Sequence, residues 1–342
     1  MTKQKIVPWK PISILTLLCG LFAIGCSTDF EIERSGQDIP IVYGLIDVQD
    51  TAHYIRVERA FLTGGSDAAV VAQNIDSLYY PPSVSVRLEK VNSGQQYDLE
   101  RVDGAAEGYP RRDGPFATQP NILYKIRADE LNLQGDETIR LLIERGGNLP
   151  LVTAETTILS SIDLVDNLPA DPLSLGNYLS TRRIAWRTES DAEIFDLRMI
   201  MHIRESRPDN PNILDDRTLE WVLSSAFRRE DDGLQVNFSF PVEDFFLFIN
   251  GSLEPLAAGR REFIDLDIRV TGGGPEFAEL LTISQANVGI TSGSDEIPIY
   301  SNLSEGRGIF ASRTSDLRTG LTLSSVALDS LSNGIYTKNL GF

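Results

Sequence analysis

The chain has 342 residues, a formal net charge of -18, two histidines and two cysteines. Nucleic acid and anionic lipid surfaces are bound through basic patches, so a chain this acidic is a poor partner for either. Nucleic-acid binding is therefore excluded from the functions considered.

The first 25 residues have the layout of a secretory signal peptide. Lys3, Lys5 and Lys10 form a positive start, and residues 12–24 form an apolar run that ends before Cys26. At about 13 residues this run is shorter than the roughly 20 residues that a membrane-spanning helix needs. The pattern therefore predicts an exported protein rather than one with a permanent transmembrane helix.

The segment Ala23-Ile24-Gly25-Cys26 resembles the lipobox of bacterial lipoproteins. The resemblance implies that a signal peptidase recognises Ala23, Ile24 and Gly25 and cleaves before Cys26, which then carries acyl chains on its sulfur and its new amine. Two or more acyl chains anchor a protein stably in membrane lipid, because each buried methylene contributes roughly 0.8 kcal/mol. The alternative is an ordinary signal peptide that leaves Cys26 as a free thiol, which is a liability in an oxidising compartment. Cys19 leaves with the leader, so no disulfide is predicted.

Residues 26–38 are polar and acidic, which predicts a short tether between the anchor and the folded part. From residue 39, seven short segments alternate apolar and polar residues and are separated by turn residues, as antiparallel strands do. The first two, IPIVYGLID and AHYIRVERAF, are joined by the turn VQDT. The pattern predicts an immunoglobulin-like β-sandwich over residues 39–160.

Residues 161–342 are predicted to form a second β-rich domain with a few short helices. Its strands are longer than those of the first domain, and it follows a connector that contains Pro and Asp. One helix is expected near Val242 to Gly251, and a longer one from Pro275, because proline suits the first helical turn. The C-terminal part, through GLTLSSVAL, is predicted to return to short strands. The fold class is therefore mostly β.

No catalytic motif stands out in the sequence. His53 and His202 lie in predicted strands beside apolar residues, where a structural histidine is the commoner interpretation, and no third ligand type clusters near either in the sequence. There is no CxxC, HExxH or related metal spacing and no GxSxG nucleophile elbow. We expect no catalytic residue, no cofactor and no metal, and predict that the protein is not an enzyme.

Two pairs of side chains are weaker candidates for a site. Asp265 and Asp267 share one face of a predicted strand and could bind calcium or act as the acid and base of a glycosidase, although a solvated sheet face is favoured in so acidic a chain. Tyr79 and Tyr80 lie in a long predicted loop, where an exposed ring can stack on a sugar or on a protein partner. Tyr80 is the candidate contact residue.

Three stretches together resemble a family of lipoproteins of unknown function from Bacteroidota. They are the lipobox, the PIVYGLID strand that leads into HYIRVERAF, and the C-terminal PIYSNLSEGRGIFASRT, which contains the family's N-x-x-x-G-x-G-x-F motif. Asn302, Gly306, Gly308 and Phe310 match that motif, and the two glycines predict a tight turn with positive φ. The resemblance implies an immunoglobulin-like domain followed by a larger β-rich domain and a structural role for the motif. No catalytic residues are known for the family, so none carry over to this chain.

The resemblance also implies a location and a partner. Genes of the family often lie near those of TonB-dependent receptors, which implies an outer-membrane protein that serves as a non-catalytic accessory or binding subunit in nutrient uptake. The alternative is a structural or adhesion lipoprotein of the envelope. Asp29, Glu31 and Glu33 partly match the acidic signal that directs lipoproteins of this phylum to the cell surface, so the periplasmic and the surface face both stay open.

Overall fold

The computed structural model describes residues 38–60, 68–189, 191–229, 233–256, 258–286 and 300–342. Strands make up 46% and helices 15%, which confirms the predicted mostly β fold with a few short helices. The leader, Ala23, Ile24, Gly25 and Cys26 lie outside the described residues. Among the described residues, no helix has the length and apolar character that crossing a membrane requires.

Eight strands form the first half of the described chain. They are β1 Ile39–Ile46, β2 Ala52–Ala60, β3 Ser85–Lys90, β4 Gln95–Asp98, β5 Glu100–Asp103, β6 Ile122–Arg127, β7 Thr138–Glu144 and β8 Val152–Thr157. All seven predicted segments are strands. The fourth of them, QQYDLERV, is divided at the buried Leu99 into β4 and β5. β4 pairs with β3 in one sheet and β5 pairs with β6 in another, so the chain changes sheets at this residue.

Two antiparallel arrangements of these strands pack face to face as a β-sandwich. One runs β1-β2-β6-β5 and the other β4-β3-β7-β8. Residues of β1, β2, β3, β6, β7 and β8 point into a shared core, where fully buried side chains include Ile55, Leu88 and Ile139. Phe310, from far along the chain, completes this core.

Seven further strands form the second half of the described chain. They are β9 Ile162–Leu164, β10 Thr181–Thr188, β11 Ile194–Ser206, β12 Leu214–Arg228, β13 Gln235–Pro241, β14 Arg261–Gly273 and β15 Arg307–Leu321. β11, β12, β14 and β15 extend the first sheet to eight strands in the order β12-β11-β14-β15-β1-β2-β6-β5, while β13-β10-β9 form a third sheet. β15 pairs in parallel with β1, so strands from the two halves of the chain are neighbours in one sheet.

Six helices connect or cover the described strands. They are α1 Ala68–Ala72, α2 Ile75–Leu78, α3 Ala128–Leu131, α4 Val242–Ser252, α5 Pro275–Ala286 and α6 Ser325–Asn333. α4 and α5 lie where the sequence predicts helices. The expectation of short strands at the C-terminus is wrong, because β15 is one long strand and α6 follows it. Ser324 caps α6 by accepting a hydrogen bond from the Ala327 N–H, and the helix buries Ala327 and Leu331.

The hydrophobic core has two main parts, and the chain passes from the first to the second near residue 160. The first takes its buried residues from positions 42–158 together with Phe310, and the second takes them from positions 159–340. The eight-stranded sheet continues across both parts, and Asp38–Phe342 forms one compact unit. Division of the chain into domains 39–160 and 161–342 stays a prediction.

Candidate functional site

The glycines of the C-terminal motif allow β15 to lie directly against β1. Gly306 has φ +102° and Gly308 has φ +121°, in the region that favours glycine. A Cβ atom on Gly308 would lie well inside contact distance of the Val42 carbonyl oxygen. A Cβ atom on Gly306 would likewise overlap the Pro40 carbonyl oxygen. Positive φ at both positions is as predicted, although Gly308 lies within a strand rather than in a turn.

Asn302 fixes the start of the same strand. Its side chain accepts a hydrogen bond from the Phe310 N–H at 3.0 Å and donates one to the Phe310 carbonyl oxygen at 2.6 Å. It also donates to the Glu155 carbonyl oxygen at 3.3 Å. Phe310 is fully buried in the sandwich core. These contacts are those of a motif that holds the sheet together.

Replacing Asn302 with alanine is expected to lower the free energy of unfolding by about 2 kcal/mol, because the backbone groups of Phe310 lose their partners in a partly buried setting. Urea denaturation of the full chain measures the loss. Asn333→Ala is the matched control, since Asn333 bonds Asp329 on an exposed helix surface, and it should cost less than about 0.5 kcal/mol. Equal losses in both variants would contradict the role given to Asn302.

Tyr80 is buried, with 3% of its surface exposed, so the exposure on which its predicted contact role depended is absent. Its ring belongs to the sandwich core, and its hydroxyl donates to the Asp38 carboxylate. Burial, with the Asp38 hydrogen bond added, raises the pKa of Tyr80. Tyr79 forms a β-bridge with Glu58, and this contact draws the predicted loop onto the sheet.

A cavity of about 540 Å³ opens beside the outer face of β1 and β2, and we call it the arginine–aromatic cavity. In the sheet, Tyr43 lies opposite Arg56, and Ile41 lies opposite Glu58. Tyr43 is 53% exposed, and Phe116 across the cavity is 40% exposed. The lining consists of Ile41, Tyr43, Arg56, Glu58, Arg59, Ala60, Leu78, Arg111 and Phe116. This is the size range in which proteins bind small molecules.

Three guanidinium groups and one carboxylate give this cavity a net positive lining. Arg56 and Arg111 both contact the Glu58 carboxylate at 2.9 Å, so its single charge is divided between two cations. Arg59 donates to the main-chain oxygens of Ser77 and Asp76, which satisfies hydrogen bonds but does not balance its charge. The Arg111 guanidinium also lies 5.2 Å from the centre of the Phe116 ring, a cation–π distance.

A second cluster lies on the face of the sheet formed by β11 and β14. His202 of β11 is opposite Asp265 of β14 in the antiparallel register, and Asp267 is two residues farther along. Their ligand atoms all lie within 4.8 Å of one another, and the His202 Nε2 is 3.1 Å from an Asp267 oxygen. We call these three residues the His202 cluster. In the fold, His202 therefore has the neighbouring ligand types that the sequence did not reveal.

The other histidine has a structural setting. His53 is buried in β2, and burial lowers the pKa of its imidazole, with the charge of Asp50 acting in the opposite direction. Its place in a buried strand agrees with the interpretation given to it from the sequence.

Glu276, in the first turn of α5, is half-buried, and one of its carboxyl oxygens is fully buried. Its Oε2 atom has no hydrogen-bond partner among the described residues. Burial raises the pKa of Glu276 above its ordinary value of 4.5 and outweighs the opposing effect of hydrogen bonds from its own backbone and from Thr156, while the charge of Glu193 adds to the rise. The ionised form is therefore less favourable in the folded protein than in the unfolded chain.

Replacing Glu276 with glutamine is expected to raise the free energy of unfolding at neutral pH and to leave it almost unchanged well below pH 4.5. As pH rises through 4.5 the unfolded chain ionises first, so the wild-type carboxyl destabilises the fold above that pH. Urea denaturation at a series of pH values checks this sign. Glu279→Gln, on an exposed part of α5, is the control, and the same pH-dependent gain there would contradict the assignment.

Comparison with known proteins gives little to set beside this geometry. No family model matches the chain, and no curated protein matches it. A DUF4785 family protein from Legionella pneumophila matches with a TM-score of 0.19 and 8% identity, over 68% of this chain and 52% of the other. The C-terminal globular domain of an oligosaccharyltransferase from Pyrococcus abyssi matches with a TM-score of 0.20 and 10% identity, over 83% and 48%. The chain thus spans about half the length of these solved structures, and likenesses this low carry no argument about function.

Proposed function

We propose that this chain is a lipid-anchored outer-membrane protein that binds a small anionic ligand as a non-catalytic accessory subunit of a TonB-dependent nutrient uptake system. The arginine–aromatic cavity is the observation that carries the proposal. The described residues of its lining offer charge and aromatic surface, and none of them is a serine, cysteine or histidine. Such a lining is suited to holding a ligand.

The chemistry of the lining defines the class of ligand. Arginine binds carboxylate and phosphate groups through paired N–H donors, and the shared Glu58 leaves positive charge in excess. The exposed rings of Tyr43 and Phe116 offer surfaces on which a planar or apolar group can pack. In a chain with net charge -18, a positive cavity also attracts anions that the rest of the surface repels. An aromatic or apolar carboxylate fits these requirements.

Anchoring rests on the sequence. The lipobox residues Ala23, Ile24 and Gly25 and the acylated Cys26 would place the folded part beside the membrane, at the end of the acidic tether. A membrane-anchored subunit needs only modest affinity for a receptor, because anchoring raises the effective concentration of the two partners.

The partner is tested with the natively expressed, membrane-extracted protein. Mild crosslinking, purification and mass spectrometry should recover a TonB-dependent receptor in near-equal amount. A Cys26→Ala variant is the control, because loss of the anchor should release the protein from the membrane fraction and abolish co-purification. Recovery of the wild-type protein alone would remove the accessory role and favour the structural or adhesion alternative.

The cavity is tested separately, by isothermal titration of aromatic carboxylates and of their neutral amides. The carboxylates are expected to bind and the amides to bind at least tenfold more weakly. Arg59→Gln should weaken carboxylate binding at least tenfold, since it removes a cation that, among the described residues, donates to main-chain oxygens and forms no ion pair. Arg127→Gln, in an exposed ion pair with Asp129, is the matched control and should leave binding unchanged. Equal binding of acids and amides would refute an anion site.

A further inference from the structure

We propose that the His202 cluster is a binding site for one first-row divalent transition-metal cation, for which Zn²⁺ is the representative. The inference concerns a different part of the sheet from the arginine–aromatic cavity and does not depend on the proposed function. It also departs from the expectation of no metal, because the three side chains come from two strands whose pairing the sequence does not show.

The spacing of the cluster suits a shared ion. Imidazole nitrogens and carboxylate oxygens bind Zn²⁺ at about 2.0–2.2 Å, so two neighbouring ligands of one ion lie roughly 3.0–3.5 Å apart. The His202 Nε2 and the Asp267 Oδ2 are 3.1 Å apart. An oxygen of Asp265 lies within 4.8 Å of both, so a small change of side-chain rotamer brings it into the same coordination sphere.

Neighbouring groups orient two of the ligands. The Gly320 N–H donates to the Asp267 Oδ1 at 3.0 Å, which leaves the Oδ2 facing His202. The Thr218 hydroxyl lies 3.4 Å from the His202 Nδ1, so the other ring nitrogen, Nε2, is the one directed at the carboxylates. Hydrogen bonds of this kind, behind the coordinating atoms, fix ligand orientation in metal sites.

Charge and access also favour a cation. Two carboxylates beside a neutral imidazole supply the two negative charges that balance a divalent ion. The nearby arginines have carboxylate partners of their own, since Arg204 pairs with Asp216 and Arg217 with Glu205. The side chains of His202 and Asp267 are 36% and 17% exposed, at a cavity of about 430 Å³. An ion can therefore enter, and water can complete its coordination.

The donor set selects among metals. Calcium and magnesium prefer six or more oxygen ligands, and calcium proteins supply most of these from carboxylates and carbonyls. One imidazole and two carboxylates on a rigid sheet form a three-ligand site with an open position, which suits Zn²⁺ or Co²⁺.

The experiment titrates Zn²⁺ and Co²⁺ into the detergent-extracted full chain after removal of metals by chelation. We expect one equivalent to bind, and bound Co²⁺ to show visible absorption bands of nitrogen and oxygen ligation. His202→Asn and Asp267→Asn should each weaken binding at least tenfold. Thr319→Val, at a residue that lines the same cavity but is uncharged and lies outside the cluster, is the matched control and should change affinity less than threefold.

Two measurements separate metal binding from a structural role of the same residues. Thermal melts without metal should coincide for the wild type and for the nearly isosteric Asp267→Asn, whereas Zn²⁺ should raise the melting temperature of the wild type alone. The proposal is overturned if no equivalent binds, if Asp267→Asn binds Zn²⁺ as tightly as the wild type, or if millimolar Ca²⁺ displaces Zn²⁺.

Discussion

Replacing Gly308 with alanine is expected to destabilise the protein by at least about 4 kcal/mol, enough to leave little folded material. The residue has φ +121°, which costs any residue with a side chain of order 1–3 kcal/mol. The added Cβ would also overlap the backbone of Val42, so β15 would have to move away from β1. Urea denaturation, or the soluble yield where the variant does not fold, measures the effect.

Gly320, in the same strand, is the matched control for this prediction. It also has positive φ, +72°, but a Cβ there would meet open space. Gly320→Ala should therefore show only the backbone strain of about 1–2 kcal/mol. The difference between the two variants measures the close approach of β15 to β1. Similar losses at both glycines would contradict the cost assigned to the close approach of β15 to β1.

Replacing Arg145 with methionine is expected to lower the free energy of unfolding by about 3 kcal/mol. Its side chain is fully buried and bonds Asp38 at 3.2 Å and Glu305 at 2.6 Å, two residues that precede β1 and β15 in the chain. It also donates to the main-chain oxygens of Asp38 and Pro150. Methionine fills most of the volume but removes the donors to two main-chain oxygens and leaves Asp38 and Glu305, which are 21% and 36% exposed, without their cation.

An exposed ion pair provides the comparison for Arg145. Arg127→Met removes a cation that pairs with Asp129 at the surface, where such pairs contribute little. We expect a change within about 0.5 kcal/mol by chemical denaturation. If Arg145→Met were as mild as Arg127→Met, the links from Asp38 and Glu305 to the sandwich would be incidental.

Local pattern predicted most of the secondary structure. Alternation of apolar and polar residues located the strands, and Pro275 marked the start of α5. The pattern failed at α6, because SSVAL is equally short and apolar whether it forms a strand or a helix, and the capping role of Ser324 is seen only in the fold. Periodicity therefore located the longer elements more reliably than it distinguished a short strand from a short helix.

The candidate sites were harder to predict, since they depend on which strands pair. Asp265 and Asp267 could be placed on one face from their spacing, but His202 joins them only because β11 lies beside β14. The arginine–aromatic cavity draws Arg111 and Phe116 from a segment with no strand pattern. The sequence also predicts an exposed Tyr80, which is wrong. The bridge between Tyr79 and Glu58 is a tertiary contact that local pattern does not reveal.

The pairing of β1 with β15 also determines when the fold can be completed during synthesis. The Ser312 hydroxyl bonds the Ile46 carbonyl oxygen across 266 residues of sequence, and such distant contacts form slowly. Until β15 has been made, β1 is an open sheet edge, and the sandwich core lacks Phe310. An open edge is a template for pairing with other chains. The nascent N-terminal half therefore requires protection from aggregation for most of the time that the chain takes to be made.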